Sequence, residues 1–220
     1  MKLGVREAAR MLNVSETKIY RWVDQEEIPF AMIQHHPMFH RVELLEWAIE
    51  MELPVSADLY EDDGDHPLTS AFQRGGGYVI NESLESIAMN LATVSPADRE
   101  VIGAVIAARA NEMFVARAAD GIFVPKARSP IVCPDASPLL MLCWSGPRPI
   151  ILGGAPANVV FVIVAPTVKD HLKLLSRLSL ALHGAAFRAA VQGRDAFDPV
   201  LAESRRFEQA LDAARRSPGA

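Results

Sequence analysis

The run NVVFVIVAP, residues 158–166, constrains this chain more than any other stretch. It is nearly all apolar, rich in β-branched residues and closed by a proline, so it reads as a strand at the centre of a sheet, buried on both faces. From Pro67 onward, helical and strand-like patterns alternate around it. LTSAFQRG predicts a short helix stopped by Gly75, Gly76 and Gly77. YVI predicts a short strand, LESIAMNLA and DREVIGAVIAARANEMF two helices, and GIFVP and LLMLCW two further strands. In DHLKLLSRLSLALH, Leu172, Leu175, Leu178 and Leu182 recur at helical spacing. FEQALDAARR predicts a last helix before SPGA. Half of the residues are apolar, which suffices for a substantial core. No apolar stretch approaches the roughly 20 residues that span a bilayer.

A different pattern occupies the first fifty residues. In GVREAARMLNVSETKIYRWVDQEEIPF, Val5, Ala8, Ala9 and Leu12 give one apolar face to a short helix. Asn13 and Val14 form a tight turn, and Ser15 is a good N-cap for a second helix. There Ile19, Trp22 and Val23 point inward, while Thr17, Lys18, Tyr20 and Arg21 are left outside. Two short helices joined by a tight turn, the second bearing hydroxyls and cations near its start, form a helix-turn-helix. The second helix would enter the major groove, where Ser15, Thr17, Lys18, Tyr20 and Arg21 could reach phosphates or base edges.

The stretch VREAARMLNVSETKIYRWV resembles the helix-turn-helix of the excisionase and MerR-type family, and the match covers about a quarter of the chain. The resemblance implies a short β-wing after the second helix, then a closing helix. Ile28, Pro29 and Phe30 would start the wing, Phe39 and Arg41 would return it, and Val42 to Met51 would close it, with Arg41 joining the DNA contacts. Residues 1–60 hold six Lys and Arg against ten carboxylates, and the wing carries His35, His36 and His40 where the family favours arginine. Phosphate neutralisation supplies much of DNA affinity, so a monomer should bind weakly and a homodimer on two half-sites should compensate. Adjacent His35 and His36 cannot easily face one ion, which argues against a metal site. A helix-turn-helix used for protein contact is the other reading of this segment. The whole chain, at net charge -5 and pI near 5.7, exerts no general pull on nucleic acid.

Residues 120–130 read DGIFVPKARSP. Together with VIVAPTVKDHLKLLSRL, they resemble the type-2 IIA domains of the bacterial sugar phosphotransferase system, over roughly residues 67–210. The resemblance puts Lys126 where that family has its phospho-accepting histidine, and His171 where it has a second pocket histidine. A lysine ammonium has no free lone pair unless burial lowers its pKa by several units, so the original reaction would be lost. EMFVARAADG also replaces the small-residue loop that precedes the site in the family. Lys126, Arg128 and His171 could still form a cationic pocket for a phosphate metabolite, a carboxylate or an acidic partner side chain. Two cations that merely solvate a strand end, and a His171 kept for packing, are the plain alternatives.

The expected fold class is α+β. Residues 1–54 form a small winged helix-turn-helix domain, 55–66 an acidic linker, and 67–215 a three-layer α/β/α IIA-like domain with a mixed sheet. MKLGVREAARMLNV lacks the apolar centre of a signal peptide, so a soluble cytoplasmic protein is expected. Cys133 and Cys143 lack metal-ligand spacing and have apolar neighbours, which predicts two buried, reduced thiols. The leading functional expectation is a DNA-binding transcriptional regulator, not an enzyme, with no cofactor. Its expected partners are double-stranded DNA, a second copy of itself, and a phosphotransferase-system or other regulatory protein or small anionic ligand. The alternatives are a phosphocarrier that uses His171 as acceptor, and an interaction module that binds no DNA.

Overall fold

The computed structural model describes residues 2–56, 67–81, 84, 86–91, 94–117, 121–194 and 196–216. Most of the expected acidic linker, 57–66, lies outside the described residues, as do 118–120 and the final SPGA.

The chain starts with β1 (Lys2–Leu3), α1 (Val5–Met11) and α2 (Glu16–Asp24). The Gly4 N–H donates to the Glu7 carboxylate at 2.8 Å, which closes the start of α1. Asn13 takes φ 52° in the turn, a left-handed conformation that asparagine tolerates. Ser15 caps α2, its Oγ accepting the Lys18 N–H at 3.3 Å. The wing follows as β2 (Ala31–Ile33) and β3 (His36–His40), and α3 (Arg41–Glu50) closes the unit. Gln34 and His35, both at positive φ, form the two-residue turn whose twist suits a hairpin. The strand β1 was not anticipated. It pairs with β3 at Leu3↔Phe39, giving a sheet in the order β1-β3-β2. Two residues show no periodicity, so only the partner strand reveals them.

The rest of the chain contains α4 (Pro67–Gly75), β4 (Gly77–Ile80), α5 (Ser86–Met89), α6 (Pro96–Met113), β5 (Phe114–Arg117), β6 (Ile122–Pro125), β7 (Ile131–Val132), β8 (Leu139–Ser145), β9 (Ile150–Leu152), β10 (Ala155–Ala157), β11 (Val159–Ala165), α7 (Val168–Ala181), α8 (Ala185–Gln192) and α9 (Asp198–Arg216). The main sheet runs β4-β8-β11-β6-β5, and β7 adds to β11. It is mixed: β4 with β8 and β11 with β6 are parallel, whereas β8 with β11 and β5 with β6 are antiparallel. The NVVFVIVAP run forms β11, central and buried along its whole length.

Alternation along the two long strands separates the faces. Leu140, Leu142, Trp144, Phe161 and Ile163 join Phe72, Leu175, Leu178, Phe187 and Val200 in one core. Leu139, Met141, Cys143, Val160, Val162 and Val164 join Ile87, Ile102 and Ile106 in the other. Helices therefore cover both faces of the sheet, α4, α7, α8 and α9 on the first and α5 and α6 on the second. Both cysteines are free and buried, and burial pushes the Cys143 thiol pKa up. The structure departs from the expectations: LESIAMNLA contains the four-residue α5, Phe114 opens β5 instead of ending α6, residues 146–158 hold the β9–β10 hairpin, α9 starts at Asp198 ahead of FEQALDAARR, and β7 and α8 were not foreseen. Gly153 and Gly154, at φ 56° and 82°, make that hairpin turn.

Two contacts fix α4. A Cβ at Gly75 would lie 2.1 Å from the Leu140 carbonyl oxygen, so only glycine lets the helix end cross β8 this closely. At the other end the buried Glu208 carboxylate, from α9, accepts the N–H groups of Leu68 at 2.7 Å and Thr69 at 3.1 Å, and the Thr69 hydroxyl at 2.6 Å. A carboxylate there satisfies free helix donors and complements the positive end of the helix.

Candidate nucleic-acid interface

The outward face of α2 is built by what its inward face needs. Ile19 and Trp22 are buried, and Trp22 meets the Trp47 ring of α3 edge-on at a centroid distance of 5.1 Å. Helical spacing then leaves Thr17, Lys18, Tyr20 and Arg21 exposed together with the capping Ser15. These five residues and Asp24 line a shallow groove of about 510 Å³. Tyr20 is 48% exposed. The Lys18 ammonium stands 4.9 Å from the centroid of the Trp22 ring, a cation–π contact that folds the end of its side chain back over α2. Ser15 uses its oxygen lone pair for the cap and keeps its O–H as a donor. Arg41, by contrast, is half-buried at the start of α3 and stands outside this groove. His35, His36 and His40 are exposed on the wing, as is Met32. Among the described residues no three His, Cys, Asp or Glu side chains gather as a metal site would require.

Lys126, Arg128 and His171 do not form one cationic cup, because His171 is buried and Arg128 pairs with a carboxylate of α3. The Lys126 N–H donates to the Met113 carbonyl at 2.7 Å, which ties the end of β6 to the end of α6. His171, on the first turns of α7, is fully buried against the Lys126 backbone. Neither ring nitrogen has a hydrogen bond of good geometry, and burial lowers the imidazole pKa to about 4, so the ring is neutral at pH 7. Arg128 reaches across to α3, where its guanidinium donates to the Glu46 carboxylate. That hydrogen bond, the charge of Glu46, and then the charges of Glu43 and Glu50 raise the Arg128 pKa. A cavity of about 330 Å³ runs beside the pair, lined by Glu26, Glu27, Glu43, Glu46, Glu50, Trp47 and Arg128 among others. Five carboxylates around one arginine make a negative field, not a cationic cup.

The Arg128–Glu46 pair was missed from the sequence, although a signal was present. Glu46 sits beside Leu45 and one turn before Ile49 in VELLEWAIE, and its side chain is 4% exposed. An acid at a core-facing position needs a cation or donors from elsewhere.

Residues 3–51 match the family model of a helix-turn-helix domain. The matched span runs from β1 through α3, the whole N-terminal unit. It suggests a DNA-binding regulator, followed here by an α+β region with a mixed sheet. No match was found among curated proteins. No described helix is long and apolar enough to cross a membrane.

Proposed function

We propose that this protein is a transcriptional regulator whose α2 helix reads the major groove and whose α/β/α region is a IIA-like regulatory module without phosphotransfer. One observation carries the DNA part. Within a unit that matches a helix-turn-helix, α2 buries Ile19 and Trp22 and presents Ser15, Thr17, Lys18, Tyr20 and Arg21 together in one exposed groove. Five of the six residues expected to touch DNA therefore share one surface, Arg41 standing apart, and Lys18 and Arg21 supply cations for phosphates or guanine. The wing, with His35 and His36 at its tip, would lie along the adjacent backbone. The carboxylates of the unit oppose binding, so a homodimer on two half-sites is part of the proposal.

The IIA-like reading rests on the resemblance of GIFVPKAR and VIVAPTVKDHLKLLSRL, with helices on both faces of a mixed sheet as support. In this reading Lys126 has replaced the phosphoryl acceptor. A His171 phosphocarrier is disfavoured, because a fully buried imidazole cannot reach a donor protein without opening the fold. An anionic ligand at Lys126 and Arg128 would meet the repulsion of Glu43, Glu46 and Glu50. The carboxylate-lined cavity at α3 favours the interaction-module reading as second choice.

Selection of genomic fragments with the full-length protein at low salt tests the leading reading. Enrichment of a palindromic or repeated motif is expected. Recovery of no enriched sequence would end the DNA-binding reading and leave the helix-turn-helix as a protein-contact surface.

A further inference from the structure

We propose that Arg128, a residue of the α/β/α region, is a positioning residue for the α2 helix, acting through the Glu46 carboxylate and the Trp47–Trp22 contact. The proposal rests on the DNA-binding reading above for its functional consequence, but its structural part stands alone. Four observations form a continuous path. The Arg128 guanidinium holds Glu46, whose side chain is 4% exposed. Glu46 is followed on α3 by Trp47, which meets Trp22 of α2 at 5.1 Å between ring centroids. Trp22 carries the Lys18 ammonium 4.9 Å from its own centroid. Lys18 lines the exposed groove together with Ser15, Thr17, Tyr20 and Arg21.

The physical reason for coupling is the cost of a buried, unpaired charge. Arg128 itself is mostly solvent-facing, with a side chain 64% exposed, so losing it removes little packing. Glu46 is different. Without its cation the carboxylate must reach water, by rotating out or by drawing α3 toward solvent. Glu43 and Glu50, one turn away on either side, would add repulsion that Arg128 now offsets. Each way of relieving the charge moves the segment that bears Trp47, and an edge-on aromatic contact has a narrow geometry. Trp22 would follow, and α2 would turn or loosen. The α/β/α region thereby sets the orientation of the helix that presents the groove, through one ion pair at the surface between the two regions.

The test uses the full-length protein as wild type, Arg128→Ala, Arg128→Lys and the double variant Arg128→Met/Glu46→Leu. Without DNA, hydrogen exchange over α2 and α3 and the tryptophan emission are compared. With the fragment enriched in the selection, affinity is measured across a range of salt concentrations. Arg128→Ala should speed exchange in both helices and weaken DNA binding about tenfold at an unchanged salt slope. Arg128→Lys should retain most of the affinity. The double variant, which removes both charges together, should restore wild-type exchange and most of the binding. Unchanged exchange and unchanged affinity in Arg128→Ala would overturn the proposal. A salt slope lower by about one would also overturn it, since Arg128 would then neutralise a phosphate directly. If wild type binds no fragment, the DNA-binding reading fails separately, and the exchange measurement still decides whether Arg128 controls α2. Should Arg128→Ala fail to fold, the contrast between Arg128→Lys and the double variant decides, because positioning requires both to behave like wild type.

Discussion

The N-terminal unit and the α/β/α region bury their apolar residues in opposite ways. The three N-terminal helices are 7, 9 and 10 residues long, too short to be stable alone in water. Their apolar faces, including Leu12, Ile19, Leu44, Leu45 and Ile49, belong to the same contiguous core as Phe72, Leu140, Phe161 and Leu175. The α/β/α region has β8 and β11, each seven residues long and buried throughout, with a helical layer on each side. One region is a thin helical head that draws support from its neighbour, and the other carries its own scaffold.

Damage to the scaffold should break the head as well, and this is the largest effect expected. Gly75→Ala places a carbon against the Leu140 carbonyl, and it should destabilise the whole chain by about 3 kcal/mol or more. Denaturant unfolding followed by far-ultraviolet circular dichroism and by tryptophan emission should show one shared transition. Two separated transitions would mean that the shared core does not couple the regions.

The next effect sharpens the comparison through pH. His171 belongs to the scaffold and has a folded pKa of about 4 against an ordinary value of 6.5. Between those values the unfolded chain binds a proton that the folded chain refuses, so stability falls as pH drops from 6.5 to 4 and levels off below. The contribution of this group has an upper bound of about 3 kcal/mol. His171→Leu should flatten that part of the profile in urea melts at a series of pH values; an unchanged slope would show that other groups dominate it.

A smaller loss is expected at the cap of α4. Glu208→Ala leaves two backbone N–H groups and the Thr69 hydroxyl without their acceptor, at a cost of about 2 kcal/mol. Hydrogen exchange should rise first at Leu68 and Thr69, before any change in α2. The smallest effect on the fold is in the head. Lys18→Ala should leave the unfolding midpoint nearly unchanged, weaken DNA binding by about tenfold or less, and lower the salt slope by about one. A full slope with normal affinity would remove Lys18 from the interface.

Much of this was legible in the residues. Ser15 after Asn13-Val14 announced the second helix, because a hydroxyl at an N-cap satisfies donors that every helix start leaves open. The inward positions of Ile19 and Trp22 followed from helical periodicity, and with them the outward set that lines the groove. The β11 run declared its central place by having no polar face to show to water. These signals are local, since each depends on residues within a few positions of one another. The β1 strand, the Glu208 cap and the Arg128–Glu46 pair are of another kind. Their partners, Leu3 with Phe39, Leu68 with Glu208 and Glu46 with Arg128, are 36, 140 and 82 positions apart, and no periodicity links them.

By itself the sequence determined the longer helices and strands, among them α2 and β11, and the apolar face of α2, and hence that α2 would offer Ser15, Thr17, Lys18, Tyr20 and Arg21 to solvent. Tertiary structure alone decided that His171 would be sealed in the core, that Glu208 would cap a helix from the far end of the chain, and that Arg128 would pair with Glu46 of α3. Periodicity follows from the repeat of the backbone, which neighbouring residues share. A buried charge takes whichever partner the packed chain brings within reach.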